Sequence, residues 1–176
     1  MIKSKMAIWE NQLIGAAGQY YVGYKLSENK LCAAQTIGNA VGVDILVCDD
    51  RGLESCSIQV KTSKNAYRKN CHGNEGYQFD VGVSVIEKWS INLWYAFVDL
   101  QQQNDLSFKP QVFIVPSKWI SDFVKPDFTR KVFFLTKEVA NLCLERWDYI
   151  KETLQKNQKI NTFVKTWPKE MVRWGT

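Results

Sequence analysis

Two short runs in which apolar and polar positions alternate carry most of the information in this chain. They are Val43-Asp44-Ile45-Leu46-Val47-Cys48 and Ser57-Ile58-Gln59-Val60-Lys61-Thr62, separated by a segment that opens with the strong turn signal Asp49-Asp50-Arg51-Gly52. The pattern predicts a β-hairpin. A simple hairpin has its midpoint between Arg51 and Gly52, which sets Asp44 across from Gln59. Lys61 is two residues on and projects from the same face, while Ile58 and Val60 point the other way. An acid, an amide oxygen and an ammonium then converge on an otherwise apolar hairpin, a grouping that a purely structural sheet has little reason to build. The plainer alternative is a partly exposed face on which Asp44 and Lys61 form a surface salt bridge worth about 0–1 kcal/mol.

The remaining periodicities fill in the elements. Leu13 to Leu26 reads as an amphipathic helix with Leu13, Ala17, Val22 and Leu26 among its apolar positions, stopped at Asn29. Gly15, Gly18 and Gly23 each weaken it by roughly 1 kcal/mol relative to Ala, so they are expected to admit the close approach of another backbone. Leu31–Ile37 reads as a strand, followed by a turn over Gly38–Gly42, which makes a three-stranded meander with the hairpin. Thr62–Gln78 is polar and reads as a surface loop. Gln78–Ile86 alternates through Phe79, Val81, Val83 and Val85 and reads as a strand. Asn92–Leu100 and Gln111–Val115 read as strands joined by a polar linker, and Ser117 after Pro116 as the cap of a short helix through Phe123. Thr136–Gln155 reads as one long helix with Leu142, Trp147, Ile150 and Leu154 on its buried stripe. Helix, meander, loop, further strands and final helices together predict a single α/β (α+β) domain with a mixed central sheet.

Composition narrows the function classes. At 176 residues and 45% hydrophobic content the chain has enough apolar material for one sizeable core, with or without a small helical appendage. No apolar run reaches the length of a membrane span, and Met1-Ile2-Lys3-Ser4-Lys5 lacks the core of a signal peptide, so a cytoplasmic protein is expected. The five cysteines are an odd number without zinc-type spacing; Cys48 and Cys56 are the pair expected to approach across the hairpin, as thiols in a reducing cytosol. His72 is the only histidine, which argues against a His-based zinc site or a Ser-His-Asp triad. The net charge of +5 is uneven: residues 151–176 hold six Lys or Arg against Glu152 and Glu170. That basic end, interleaved with Phe163, Trp167 and Trp174, suits a polyanion, or equally a solvated helical face whose aromatics pack inward.

Hydrolysis of a phosphodiester asks for a hard cation to bind a nonbridging oxygen and activate water. Asp44 is a suitable ligand in kind and place, the Gln59 carbonyl oxygen is an uncharged one, and Lys61 suits the stabilisation of developing charge. Burial would lower the Lys61 pKa and Asp44 would raise it, so its protonation is not legible here.

Three stretches, Gly15-Ala16-Ala17-Gly18-Gln19-Tyr20-Tyr21-Val22, Gly38 to Val47 and Ile58-Gln59-Val60-Lys61-Thr62, together resemble the PD-(D/E)XK nuclease superfamily. They are similar to its small bacterial endonuclease-like proteins and, more distantly, to homing endonucleases and Holliday-junction resolvases. The resemblance covers roughly the first 65 residues, with Trp94–Val98 and Val112–Ser117 following the group more loosely. It implies a restriction-endonuclease-like core over residues 1–135, with a mixed sheet flanked by helices, and a basic helical extension over 136–176. It also implies a Mg²⁺ (or Mn²⁺) site with Asp44 and Gln59 as metal ligands, Lys61 as the catalytic lysine and Gln19 in the place of a helical Glu. Double-stranded or branched DNA is the implied partner, with Lys64, Arg68 and Lys69 against its backbone, and a homodimer is the implied assembly. The family carries acid or Gln in the slot that Gln59 fills, so the departure is Gln19 in place of a helical Glu, and neither Glu10 nor Glu28, nine residues either side of Gln19, replaces it along one helix. Two readings follow: a metal-dependent endonuclease, or a nuclease-fold module that binds DNA or a protein without cutting.

Overall fold

The computed structural model describes residues 2–36, 42–71, 73–82, 85, 87–101, 109–124 and 131–155. Most of the turn expected from Gly38, residue His72, Val83 and Ile86, most of the polar linker, and the basic segment beyond Gln155 lie outside them. In chain order the elements are α1 (Ile2–Glu28), β1 (Cys32–Gln35), β2 (Ile45–Cys48), β3 (Ser55–Ser63), β4 (Tyr67–Cys71), β5 (Asn74–Asp80), β6 (Leu93–Asp99), β7 (Gln111–Pro116), α2 (Ser117–Phe123), β8 (Val132–Thr136), α3 (Lys137–Cys143) and α4 (Trp147–Leu154). No helix among the described residues is long and apolar enough to cross a membrane.

The central sheet runs β1-β2-β3-β6-β7 and is mixed: β3 and β6 are parallel, the other neighbours antiparallel. A smaller antiparallel sheet, β4-β5-β8, lies beside it. Strand β6 is buried on both faces, which accounts for the unbroken apolar run Leu93–Val98. Its even positions, Trp94, Ala96 and Val98, join Ile58 and Val60 in a core closed by Val22 and Leu26 of α1 and by Trp147, Ile150 and Leu154 of α4. Its odd positions, Tyr95 and Phe97, enter a second core with Phe79 of β5, Phe133 of β8, Trp119 of α2 and Val139 of α3. The architecture is therefore α+β, with a mixed central sheet flanked by helices.

Several local expectations give way to tertiary contacts. Thr62–Gln78 is not a loop: β3 continues to Ser63, and β4 and β5 form a hairpin. β4 is exposed along most of its length and only Cys71 of β4 and Tyr77 and Phe79 of β5 turn to the core, so alternation of apolar residues does not reveal the pair. The expected strand over Gln78–Ile86 shifts upstream to Asn74–Asp80, because β5 is fixed by pairing with β8, a strand the sequence did not suggest. Past Asp80, Val81 keeps one bond, donating to Lys131 O at 2.9 Å, and the chain turns at Gly82. Ser117 does not cap α2. Pro116 holds that position, and the Ser117 hydroxyl instead donates to Ser90 O at 2.9 Å and accepts from Ser90 N at 3.0 Å. The long final helix is broken: Glu145 has φ 51° and donates its N–H to Val112 O on β7 at 2.8 Å, which separates α3 from α4 and leaves Leu142 exposed. The expected Cys48–Cys56 approach gives way to the register, which pairs Cys48 with Cys32 and with Ser55 instead.

Helix α1 also differs from its expected face. Its buried line is Gly18, Val22 and Leu26, while Leu13 and Ala17 face solvent. Of its three glycines only Gly18 is tight: a Cβ there would lie 2.8 Å from Thr62 Cγ2 and closer still to Oγ1. Gly15 has open space around it. Gly18→Ala gains about 1 kcal/mol of helix propensity but forces α1 off β3, an overpacking penalty of about 1–3 kcal/mol. We expect a net loss on urea denaturation. The Thr62 hydroxyl is buried without a hydrogen-bond partner among the described residues, so Thr62→Ala should itself be mild and should recover most of the Gly18→Ala loss. A stabilising Gly18→Ala, or additive single and double variants, would contradict this packing.

Candidate functional site

Strand β2 pairs with β3 through Ile45↔Ile58, the register that the turn predicts. Asp44, one residue further, leaves the ladder and brackets Gln59 from both sides. Its N–H donates to Ile58 O at 3.0 Å, and its Oδ2 accepts the N–H of Val60 at 2.7 Å. The carboxylate thus replaces a strand carbonyl and is fixed in orientation, with Oδ1 left uncommitted among the described residues. Gln59 and Lys61 alternate with the buried Ile58 and Val60 and stand half-buried on the other face of the sheet.

Lys61 sits where two effects compete. Burial pushes its ammonium below the ordinary 10.5, and the nearby Asp44 charge raises it only partway back. Parallel pairing sets Tyr95 beside Gln59 and Phe97 beside Lys61. Tyr95 is almost fully buried, and burial together with the Asp44 charge pushes its phenol up to about 12, so it remains a proton donor at neutral pH. Asp44, Gln59, Lys61 and Tyr95 therefore form one group on one sheet face.

Lys88 completes the group. Gly42 has φ +85°, a conformation that favours glycine, and a Cβ at that position would lie 3.6 Å from Lys88 Nζ and 3.8 Å from Gln59 Oε1. The open side of Gly42 is thus a cradle between an ammonium and an amide oxygen. Tyr95 and Lys88 both escaped the sequence reading: each reaches the site through a non-local contact that no local spacing encodes.

The other sequence candidates lie apart. Gln19 is half-buried on α1, next to the Gly18 that touches Thr62, on the side of β3 opposite Lys61. Among the described residues no hydrogen bond joins it to the site. Glu10 pairs with Lys64 at the end of β3, where both line a hollow with Ile14, Thr62 and Asp80. Arg68 and Lys69 are exposed neighbours on β4, where the pairing with β5 shifts register; the Arg68 guanidinium donates to the carbonyls of Asn65 and Tyr67. The start of that hairpin is held by the buried Asp99, which accepts from Ala66 N at 3.0 Å and Gln101 N at 3.1 Å. Burial raises the Asp99 carboxyl, against the lowering effect of these bonds.

The site is poor in acid. Among the described residues no three His, Cys, Asp or Glu side chains come together. Its donor set is still of the right chemistry for a hard cation: one carboxylate and one amide oxygen, which suits Mg²⁺ where substrate phosphates and water complete the shell.

No family model matches this sequence, and no curated protein matches it. Among solved structures the chain is similar to a bacterial homing endonuclease, I-Ssp6803I, at a TM-score of 0.53 and 13% identity, over 86% of this chain and 96% of that one. The likeness is one of fold.

A half-buried lysine held below its ordinary pKa is a stability cost that replacement should relieve. Lys61→Met should stabilise the protein at neutral pH by on the order of 1 kcal/mol. Between the depressed folded pKa and 10.5 the unfolded chain binds more protons at this group, so wild-type stability gains from Lys61 as pH rises through that window. The advantage of Lys61→Met in urea melts should accordingly shrink toward pH 10.5. A variant that is less stable at pH 7 would overturn the assignment of burial as the dominant effect.

Proposed function

We propose that this chain is a metal-dependent endonuclease-like protein that hydrolyses phosphodiester bonds of double-stranded or branched DNA. The observation that carries this reading is the convergence of Asp44, Gln59 and Lys61 on one sheet face, in a fold shared with a homing endonuclease. Asp44 Oδ1 and the Gln59 amide oxygen would hold Mg²⁺ or Mn²⁺, which when bound supplies Lewis-acid stabilisation of the phosphate and an activated water. The bond from Val60 N keeps Asp44 oriented for this. Lys61, desolvated and lowered in pKa, stabilises negative charge developing on phosphorus and exchanges a proton more readily than a solvated lysine. Lys88 binds a phosphate oxygen from the Gly42 side. Arg68, Lys69 and the basic residues beyond Gln155 hold the backbone at longer range.

A second reading rests on a specific observation, the single carboxylate with Gln at both 19 and 59: a nuclease-fold module that binds DNA and does not cut it. Nicking of supercoiled plasmid separates the two. With Mg²⁺ or Mn²⁺ present, wild type should nick and Lys61→Ala should lose at least ~100-fold in rate. Gln19 lies across β3 from Lys61, so Gln19→Glu should leave a silent wild type silent; nicking by that variant would put Gln19 at the site after all. Silence from every variant, with salt-sensitive DNA binding intact in EDTA, would leave the binding module. Lys88→Ala should weaken duplex binding several-fold and lower the salt slope by about 1, as the loss of one phosphate contact does. An unchanged slope would remove Lys88 from the site.

A further inference from the structure

Helix α1 is apolar on two opposite faces. Gly18, Val22 and Leu26 lie against the sheet. Half a turn away, Trp9, Leu13, Tyr20 and Tyr24 are 64%, 50%, 67% and 58% exposed. At 100° per residue these four, with Ala16 and Ala17 between them, fall within an arc of about 100°. A helix with polar flanks and two apolar faces is one built to be covered on both sides.

The order of residues in the outer stripe is self-complementary. Trp9 and Tyr24, Leu13 and Tyr20, and Ala16 and Ala17 are placed symmetrically about one point, between Ala16 and Ala17. Laid antiparallel on a second copy about a two-fold axis at that point, each large residue meets the residue placed opposite it about that point. Leu13 faces Tyr20 of the other copy, Trp9 faces Tyr24, and the alanines let the helices approach where they cross. This is what an isologous interface requires: residue i contacts j, and j contacts i. The rims are already ordered, since the Tyr24 hydroxyl donates to Glu28 Oε1 at 3.1 Å and Lys25 Nζ to Glu28 Oε2 at 2.6 Å. The three aromatic rings leave roughly 400 Å² of each copy in water at ordinary ring areas. Two copies, with Leu13 and the alanines, approach the ~1,000 Å² that a specific interface has to clear.

We propose that the outer face of α1 is a homodimer interface, formed by antiparallel packing of α1 on α1 about Ala16–Ala17. The interface lies on the far side of α1 from the sheet, and the sheet itself separates it from Lys61, so both candidate sites stay open in the pair.

Sedimentation and light scattering of the full chain should give twice the 20.4 kDa monomer mass for wild type at tens of micromolar. Leu13→Glu and Tyr20→Lys, both at exposed positions, should each sediment as folded monomers with wild-type thermal melts. Mixed together, these two monomers should form a heterodimer, because position 13 of one faces position 20 of the other and the new charges attract. A monomeric wild type, whose outer face is then left to a different partner or to another segment of this chain, overturns the proposal. So does a dimer that survives either substitution. A mixture that stays monomeric overturns the antiparallel register on which it rests.

Discussion

The alternation of β3 is the constraint on which the rest of the molecule depends. The strand is locked between an antiparallel neighbour, β2, and a parallel one, β6, so its register is set twice. Ile58 and Val60 are thereby committed to the core under α1, and Gln59 and Lys61 to the opposite face beside Tyr95 and Phe97. A slip by one residue would place an ammonium under α1 and two aliphatic side chains at the site, losing both at once. The Asp44 carboxylate strengthens the same lock, because its bond from Val60 N fixes where β2 begins relative to β3. Fold specification and site geometry are one interaction here, not two.

Around that strand the structure accepts local costs. Lys61 is held where burial disfavours its charge, and Asp99 sits almost fully buried with its carboxyl raised. The two differ in kind. Asp99 is answered by backbone donors that anchor the start of β4, so its burial has a structural return. Lys61 has no ion pair among the described residues, and its burial does nothing for packing that a methionine would not do better. Groups of that second kind are retained against stability where something other than folding needs them.

Much of this was legible in the sequence where the information is local. The turn at Asp49–Gly52 and the alternation of Ile58 to Lys61 fix the hairpin and its faces, and the apolar runs at Leu93–Val98 and Gln111–Val115 mark β6 and β7. What failed depends on partners far along the chain. β5 and β8 define each other by pairing, with the polar β4 along the edge of β5, so neither Phe79 alone nor Val132–Thr136 alone announces its limits. The break after α3 is imposed by Val112, 33 residues upstream of Glu145, within a stretch whose helical periodicity runs straight through. The outer stripe of α1 was misread for a related reason: Leu13 and Ala17 do belong to an apolar face, and the sheet takes the other one. Lys88 and Tyr95 reach Gln59 and Asp44 only through tertiary structure, so the candidate site was legible along one hairpin and no further.

The charge balance at the site constrains how any cutting by this protein has to work. Beside Gln59 stand one carboxylate, Asp44, and two ammonium groups, Lys61 and, across Gly42, Lys88, so these three charges sum to positive. On the proposed reading, an acid-rich centre would gather its cation before the substrate arrives, whereas a centre of this composition would attract the phosphodiester first, since ammonium groups favour an anion. The bound phosphate would then contribute the negative oxygens that Gln59 does not, and affinity for a hard divalent ion would rise with it. Cation and DNA would on that reading be thermodynamically linked, each raising the affinity for the other by the same factor. In the same arrangement a glutamine at position 59 is a moderation rather than a defect. A glutamate there would hold the cation without DNA and would weaken the pull of Lys61 and Lys88 on the phosphate that has to come first.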